Sequence, residues 1–283
     1  MLYNTIGLLY MDEDILDLSE KFIKESLYIS RRLFGENNAE VATSYCNLGI
    51  IYNNKNKFKQ AKGYHKKSLR IREMLFGRDS DDVANSYNCL ASVCFDLGEF
   101  DYAFELLNNA LNIYKNLYRD CHPDVALVHD NLGVFYSDMC DYTNAKKHIA
   151  AALNIRLMLF GESHSDVASS YNSLGFIYSF LEDYKKSEFN YKQALKVYKD
   201  LNLNNHHEVA EVNNNLAKLY YDYGFYDKAG EYYHKALQIS KNIYGEEHSF
   251  TATLYNNIGM LYEKKEEYNL ATKCLEAALK IRH

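Results

Sequence analysis

"YNSLGFIY" at residues 171–178 returns along the chain with little change: "YCNLGIIY" at 45–52, "HDNLGVFY" at 129–136, "YNNIGMLY" at 255–262 and, near the start, "YNTIGLLY" at 3–10. Its central aliphatic residue sets the period. Ile6, Leu48, Leu90, Leu132, Leu174, Leu216 and Ile258 follow one another at intervals of 42 residues, without a gap. A second column is leucine throughout: Leu27, Leu69, Leu111, Leu153, Leu195, Leu237 and Leu279. Self-similarity at this spacing marks supersecondary units that bury a core only by stacking. The pattern predicts one solenoid domain over residues 1–283, built of seven 42-residue repeats with the first and last incomplete, and leaves no room for a separate catalytic domain.

Each repeat reads as two helices. Val167, Tyr171, Leu174, Gly175 and Tyr178 fall at helical spacing and define one buried stripe. A polar break follows at Glu182–Asp183, and a second helix runs from about Tyr184 to about Leu201, with Tyr191, Ala194, Leu195 and Tyr198 on its buried side. Phe34-Gly35, Phe76-Gly77, Phe160-Gly161 and Tyr244-Gly245 end the second helices, where glycine suits a left-handed cap. Glu40, Asp82, Asp124, Asp166 and Glu208 then occupy the opening turns of the first helices, favourable against the helix dipole.

The small columns predict how the helices meet. Gly7, Gly49, Gly133, Gly175 and Gly259, with Ala91 and Ala217, leave space for close approach of the second helix. That helix offers Ala61, Ala103, Ala145, Ala229 and Ala271, with Ser19 and Ser187, as its matching small surface. Tyr10, Tyr52, Tyr136, Tyr178, Tyr220 and Tyr262 fill the remaining volume, with Cys94 in the same column.

Aromatic, Leu-Gly, Tyr, Ala and Ala in this order along a helix–turn–helix resemble the tetratricopeptide repeat. "HPDVALVHDNLGVFY" at 122–136 and "GESHSDVASSYNSLGFIY" at 161–178 are similar to its long, 42-residue, kinesin light chain-like type. The resemblance implies an all-α fold, a right-handed superhelical solenoid of helix–turn–helix repeats, and a concave groove that holds an extended peptide. Nothing in the chain resembles the heptad coiled coil by which a light chain joins its heavy chain.

Composition narrows the partners. Lys and Arg number 32 against 38 Asp and Glu, a net charge of −6, and no basic run is long enough to track phosphates. Nucleic acid and anionic membrane are therefore disfavoured, and no apolar stretch reaches transmembrane length. Cys46, Cys89, Cys94, Cys121, Cys140 and Cys274 show no repeated close pairing, which predicts reduced, partly buried thiols in a cytoplasmic protein rather than a disulfide framework. His122, His164, His206 and His248 recur once per repeat, but packed helices lie about 8–10 Å apart and cannot bring them onto one ion. His206-His207 is an adjacent pair that no acid or cysteine pattern completes, so no metal site is expected. The chain has no phosphate loop, nucleophile elbow or metal-binding His-Glu helix; neither a cofactor nor catalysis is expected.

A helical wheel of the first helix puts two columns away from the core stripe. One holds Asn47, Asn131, Asn215 and Asn257, with Asn88, Asn172, Asn214 and Asn256 in the column beside it. Asparagine is a mediocre helix former, and an amide, donor and acceptor together, suits the backbone of an extended peptide. The other column reads Leu8, Ile50, Ser92, Val134, Phe176, Lys218 and Met260. The candidate peptide-binding set is Asn47, Ile50, Asn88, Asn131, Val134, Asn172, Phe176, Asn215, Lys218, Asn257 and Met260. The competing reading packs these residues against the neighbouring first helix.

The resemblance associates such grooves with acidic, aromatic-containing peptides. Here Asp12, Asp96, Asp138, Asp222, Asp130 and Glu211 face only Lys218 and Lys264, which predicts a neutral or basic segment with an apolar anchor near Val134 and Phe176. The function expected is a protein–protein interaction scaffold or adaptor. The alternative is the sensor or regulatory repeat region of a larger signalling protein, such as a nucleotide-dependent ATPase. Both ends cut through predicted helices, which suggests a piece of a longer chain and uncapped ends open to self-association.

Overall fold

The computed structural model describes residues 2–13 and 15–282; Met1, Asp14, His283 and the Asp12 side chain lie outside them. Among the described residues all regular structure is α-helical. The chain divides into two compact units, residues 1–135 and 136–283. The first holds α1 (Leu2–Asp12), α2 (Leu16–Phe34), α3 (Ala39–Asn54), α4 (Phe58–Phe76), α5 (Asp81–Asp96) and α6 (Phe100–Tyr118). The boundary falls within α7 (Pro123–Asp138). The second unit continues with α8 (Tyr142–Phe160), α9 (Ser165–Phe180), α10 (Tyr184–Asp200), α11 (His207–Asp222), α12 (Tyr226–Tyr244), α13 (Ser249–Lys264) and α14 (Tyr268–Arg282). The helix–turn–helix repeats are those expected from the columns.

Helix starts follow their local chemistry. Asn38 accepts the Glu40 N–H at the start of α3. His164 and His248 do the same through Nδ1 for the N–H groups two residues on, at 3.2 Å each. These two histidines are thus N-caps, and acidic residues stand in the first turn of α3, α5, α7, α9 and α11.

Helix ends differ from expectation. Gly35, Gly77, Gly161 and Gly245 have φ between 73° and 84°, but ψ lies near 180°, outside the left-handed helical region. This conformation is almost confined to glycine, yet Arg119 adopts it with φ 63° and ψ −159°. The left-handed cap closes the first helix of the repeat instead. Asn56, Gly98, Cys140, Glu182, Gly224 and Glu266, each 42 residues after the last, have φ between 56° and 79°. The next N–H reaches back across the turn, as from Asp183 to the Tyr178 carbonyl at 3.0 Å, in a Schellman arrangement. Four of these six positions are not glycine, so glycine does not mark them in the sequence.

In each unit the second helix packs on its own first helix and on the next one. Close approach depends on the glycine column. A Cβ added to Gly7 would lie 2.5 Å from Ile23, and one on Gly175 would lie 2.6 Å from the Tyr191 ring. Gly49 stands in the same relation to His65 and Gly259 to Leu275, each partner sixteen residues on. Ser19 and Ser187, fully buried, donate to the carbonyls of Gly7 and Gly175 at 2.8 and 2.7 Å. Two buried arginines staple a second helix to the following first helix. Arg72 donates to Ser86 Oγ at 2.9 Å, and Arg156 to Ser170 Oγ at 2.6 Å. Ile23, Val41, Leu48, Ile51 and Ala61 form the core of the first unit's opening repeats. Ala194, Val212, Leu216, Ala229 and Leu254 do so in the second unit.

Candidate peptide groove

The close contacts of the glycine column set the spacing of the hairpins, and consecutive first helices lie side by side. Along their seam the asparagines bond to one another. Asn47 donates to Asn4 at 2.8 Å and Asn131 to Asn88 at 2.7 Å in the first unit. In the second, Asn215 donates to Asn172 at 3.3 Å and Asn257 to Asn214 at 2.9 Å. Every clasp joins residues 43 apart. A helical wheel puts these asparagines opposite the core; the structure puts them half-buried, or buried for Asn47, between neighbouring helices. A wheel shows one helix, and the crossing of two decides what the seam covers. An amide has two donors and two lone pairs, so one clasp leaves most of its capacity for another ligand.

In the second unit α9, α11 and α13 line a groove of about 810 Å³. Five residues of the candidate set meet in it: Phe176, Asn215, Lys218, Asn257 and Met260. Phe176 and Met260 are 41% and 43% exposed, large apolar side chains facing solvent in a concave surface. Asn172 holds Asn215 from behind through its clasp. Of the rest, Ile50 is half-buried and Val134 exposed in the first unit, where Asn47, Asn88 and Asn131 are joined in clasps.

Phe180, Tyr223 and Glu182 also line the groove, outside the candidate set. Phe180 lies one helical turn after Phe176, their rings 4.8 Å apart, and the i,i+4 rule would have found it. Tyr223 and Glu182 sit in the turns that end α11 and α9, where no helical wheel applies. The Tyr223 hydroxyl donates to the Glu182 carbonyl at 3.4 Å. Glu182 and Asp222 face Lys218 alone, so the groove carries an acidic excess. Partial burial raises the Asp222 carboxyl above its ordinary value, and Lys218 pulls it back. Tyr191 forms part of the floor, its hydroxyl held strongly protonated by burial.

At the start of α11 the structure corrects one expectation. Glu208 completes the His206-His207 pair: its carboxylate meets His206 Nδ1 and lies 3.1 Å from His207 Nδ1. The three ligand atoms lie within 4.8 Å of one another. The acid is the next residue in the chain, and helix entry folds it back. Among the described residues no helix is long and apolar enough to cross a membrane.

The model of the tetratricopeptide repeat matches residues 1–74, 82–137, 124–200 and 208–282. This chain belongs to the tetratricopeptide repeat family. Repeats of the family serve as protein–protein interaction scaffolds, and the fold is typically non-catalytic. No curated protein matches the sequence. Among solved structures, the apo form of RapI is similar at a TM-score of 0.72 and 13% identity, over 99% of this chain and 96% of RapI. A Signal Transduction ATPase with Numerous Domains protein with a tetratricopeptide repeat sensor, from Pyrococcus horikoshii, also gives 0.72, at 17% identity. That match covers 99% of this chain and 41% of the other. A putative kinesin light chain from Podosopora anserina, with nearly identical repeats, gives 0.60 at 14% identity over 71% of this chain and 94% of that one. These likenesses establish a shared fold, and the kinesin light chain-like repeat type expected from the motifs is among them.

Proposed function

We propose that the protein is a scaffold that captures an extended, neutral or basic peptide segment of a partner protein in the groove of α9, α11 and α13. The observation that carries this reading is the juxtaposition, in one concave surface, of exposed Phe176, Phe180 and Met260 with the asparagine clasps and an acidic excess. The amides of Asn214, Asn215 and Asn257 bond the peptide backbone, and the apolar side chains take an anchor residue. Amide contacts contribute about 0.5–1.5 kcal/mol each, while association costs at least about 4 kcal/mol. The anchor must therefore contribute, and an affinity near micromolar, about −8 kcal/mol, is expected.

A peptide array probed with the chain, followed by calorimetry on the selected peptides, tests this. Phe176→Ala should weaken binding by about tenfold or more, and Asn257→Ala by a few-fold, with the helical circular dichroism of both retained. Selection of strongly acidic peptides would overturn the charge argument. Affinity unchanged in both variants would overturn the groove. The alternative, a sensor region of a nucleotide-dependent ATPase, has the archaeal ATPase likeness behind it, and that likeness speaks for the fold alone.

A further inference from the structure

The clasps occupy one register: a residue on one first helix and the residue 43 further on, on the next. Four junctions fill this register with two asparagines, Asn4–Asn47, Asn88–Asn131, Asn172–Asn215 and Asn214–Asn257. At the junction of α3 and α5 the register falls on Cys46 and Cys89. Both thiols are free in the structure, and the Cys89 thiol donates to Asn85 Oδ1 at 3.9 Å. Residues of α3 and α5 come within 8 Å of each other, Cα to Cα, and a disulfide takes a Cα separation of about 4.4–6.8 Å.

We propose that Cys46 and Cys89 are an oxidation site, a dithiol that closes to a reversible disulfide across the seam of α3 and α5.

The surroundings fit a reactive pair. The fully buried His65 ring lies within reach of the Cys46 sulfur, and its Nδ1 has no hydrogen-bond partner. Buried Arg72 donates to Asn85 Oδ1 at 3.2 Å, and the Cys89 sulfur meets the same oxygen at 3.9 Å. The interaction with Cys89 draws the Cys46 thiol below its ordinary value; burial opposes this, and His65 and Arg72 add to it. The same interaction, with burial, pushes Cys89 up. One member is thus the attacking thiolate and the other its resolving thiol, in an electropositive pocket. Cys46 is buried and Cys89 half-buried, so a small oxidant reaches the pair from the Cys89 side.

Hydrogen peroxide is the oxidant class that fits. The Cys46 thiolate attacks one peroxide oxygen, the O–O bond breaks, and the departing hydroxide takes a proton to become water. Cys89 sulfur then attacks the sulfenic sulfur and expels a second hydroxide, which carries off the Cys89 proton as water. Two thiols and one peroxide give one disulfide and two waters.

The test treats the full reduced chain with hydrogen peroxide, caps remaining thiols by alkylation, and maps peptides by mass spectrometry. Exposed Cys121 and Cys140 serve as internal controls. The expected result is a cross-linked Cys46–Cys89 peptide, lost on treatment with dithiothreitol. It should be absent from the double variant Cys46→Asn, Cys89→Asn, which installs the clasp of the other junctions and should keep the helical circular dichroism. The wild-type result stands whether or not that variant folds. Recovery of Cys46 and Cys89 as alkylated thiols after the control cysteines have oxidised would overturn the proposal. So would cross-links of either to another cysteine, or sulfinic acids in place of the cross-link.

Discussion

Three periods separate the helices α3, α4 and α5 from α9, α10 and α11, so the two trios hold equivalent positions of the repeat in different chemistry. Gly49 faces the His65 imidazole where Gly175 faces the Tyr191 phenol, and in both an added Cβ would come within 2.5–2.6 Å of the ring. The seam of the first trio pairs Cys46 with Cys89; that of the second pairs Asn172 with Asn215. Where the first trio buries Arg72, the second buries Tyr198. Backbone register is therefore set by volume, a ring-sized occupant against a glycine, while the polar identity of the occupant is free to vary. The first trio uses that freedom to gather a thiol pair, an imidazole and a guanidinium. The second fills it with aromatic rings and so builds the firm floor of the groove.

The largest expected effect that separates the trios is at Tyr191. Tyr191→Ala should cost about 3–5 kcal/mol in urea unfolding, as for other buried aromatic truncations, and should abolish peptide capture with it. A loss under about 1 kcal/mol would show that the ring does not hold the hairpin spacing. Next comes Gly175→Ala, whose methyl group must displace a ring packed on all sides, at about 1–3 kcal/mol. Wild-type stability in that variant would mean that the glycine column serves something other than close approach.

The smallest effect has the opposite sign. His65 Nδ1 is buried without a partner, and Leu275 shows that leucine fits the equivalent place beside Gly259. His65→Leu should therefore stabilise by about 1 kcal/mol, by removing an unsatisfied polar group. A loss of stability would reveal a partner for that nitrogen and weaken the contrast between the trios.

Helix existence, order and limits were legible because leucine, glycine and tyrosine recur with the period; α9 ends at Phe180 and α10 starts at Tyr184, as the polar break at Glu182–Asp183 required. The candidate groove was legible where a side chain stands clear of its own helix, as with Phe176, Lys218 and Met260. The seam was not. Whether Asn215 faces solvent or Asn172 depends on how α9 and α11 cross, which no single-helix pattern contains. The Cys46–Cys89 pair was hidden for the same reason: read one column at a time, each cysteine is alone. The left-handed caps are not legible from glycine, because Cys140, Glu182 and Glu266 adopt that backbone without it.

The short reach of the bonds that hold the repeats bears on how the chain is made. The clasps span 43 residues, the Tyr52–Glu20 and Tyr220–Glu188 bonds 32, and the arginine staples 14. Contact order is thus capped by the repeat, and the closure entropy of each bond is that of a loop of fixed length, however long the chain grows. Translation at roughly 5–20 residues per second delivers 43 residues in about 2–9 s, whereas helices form in about a microsecond. A repeat can dock on its predecessor while the next is still being synthesised, so the nascent chain need expose little more than one unpaired hairpin at a time.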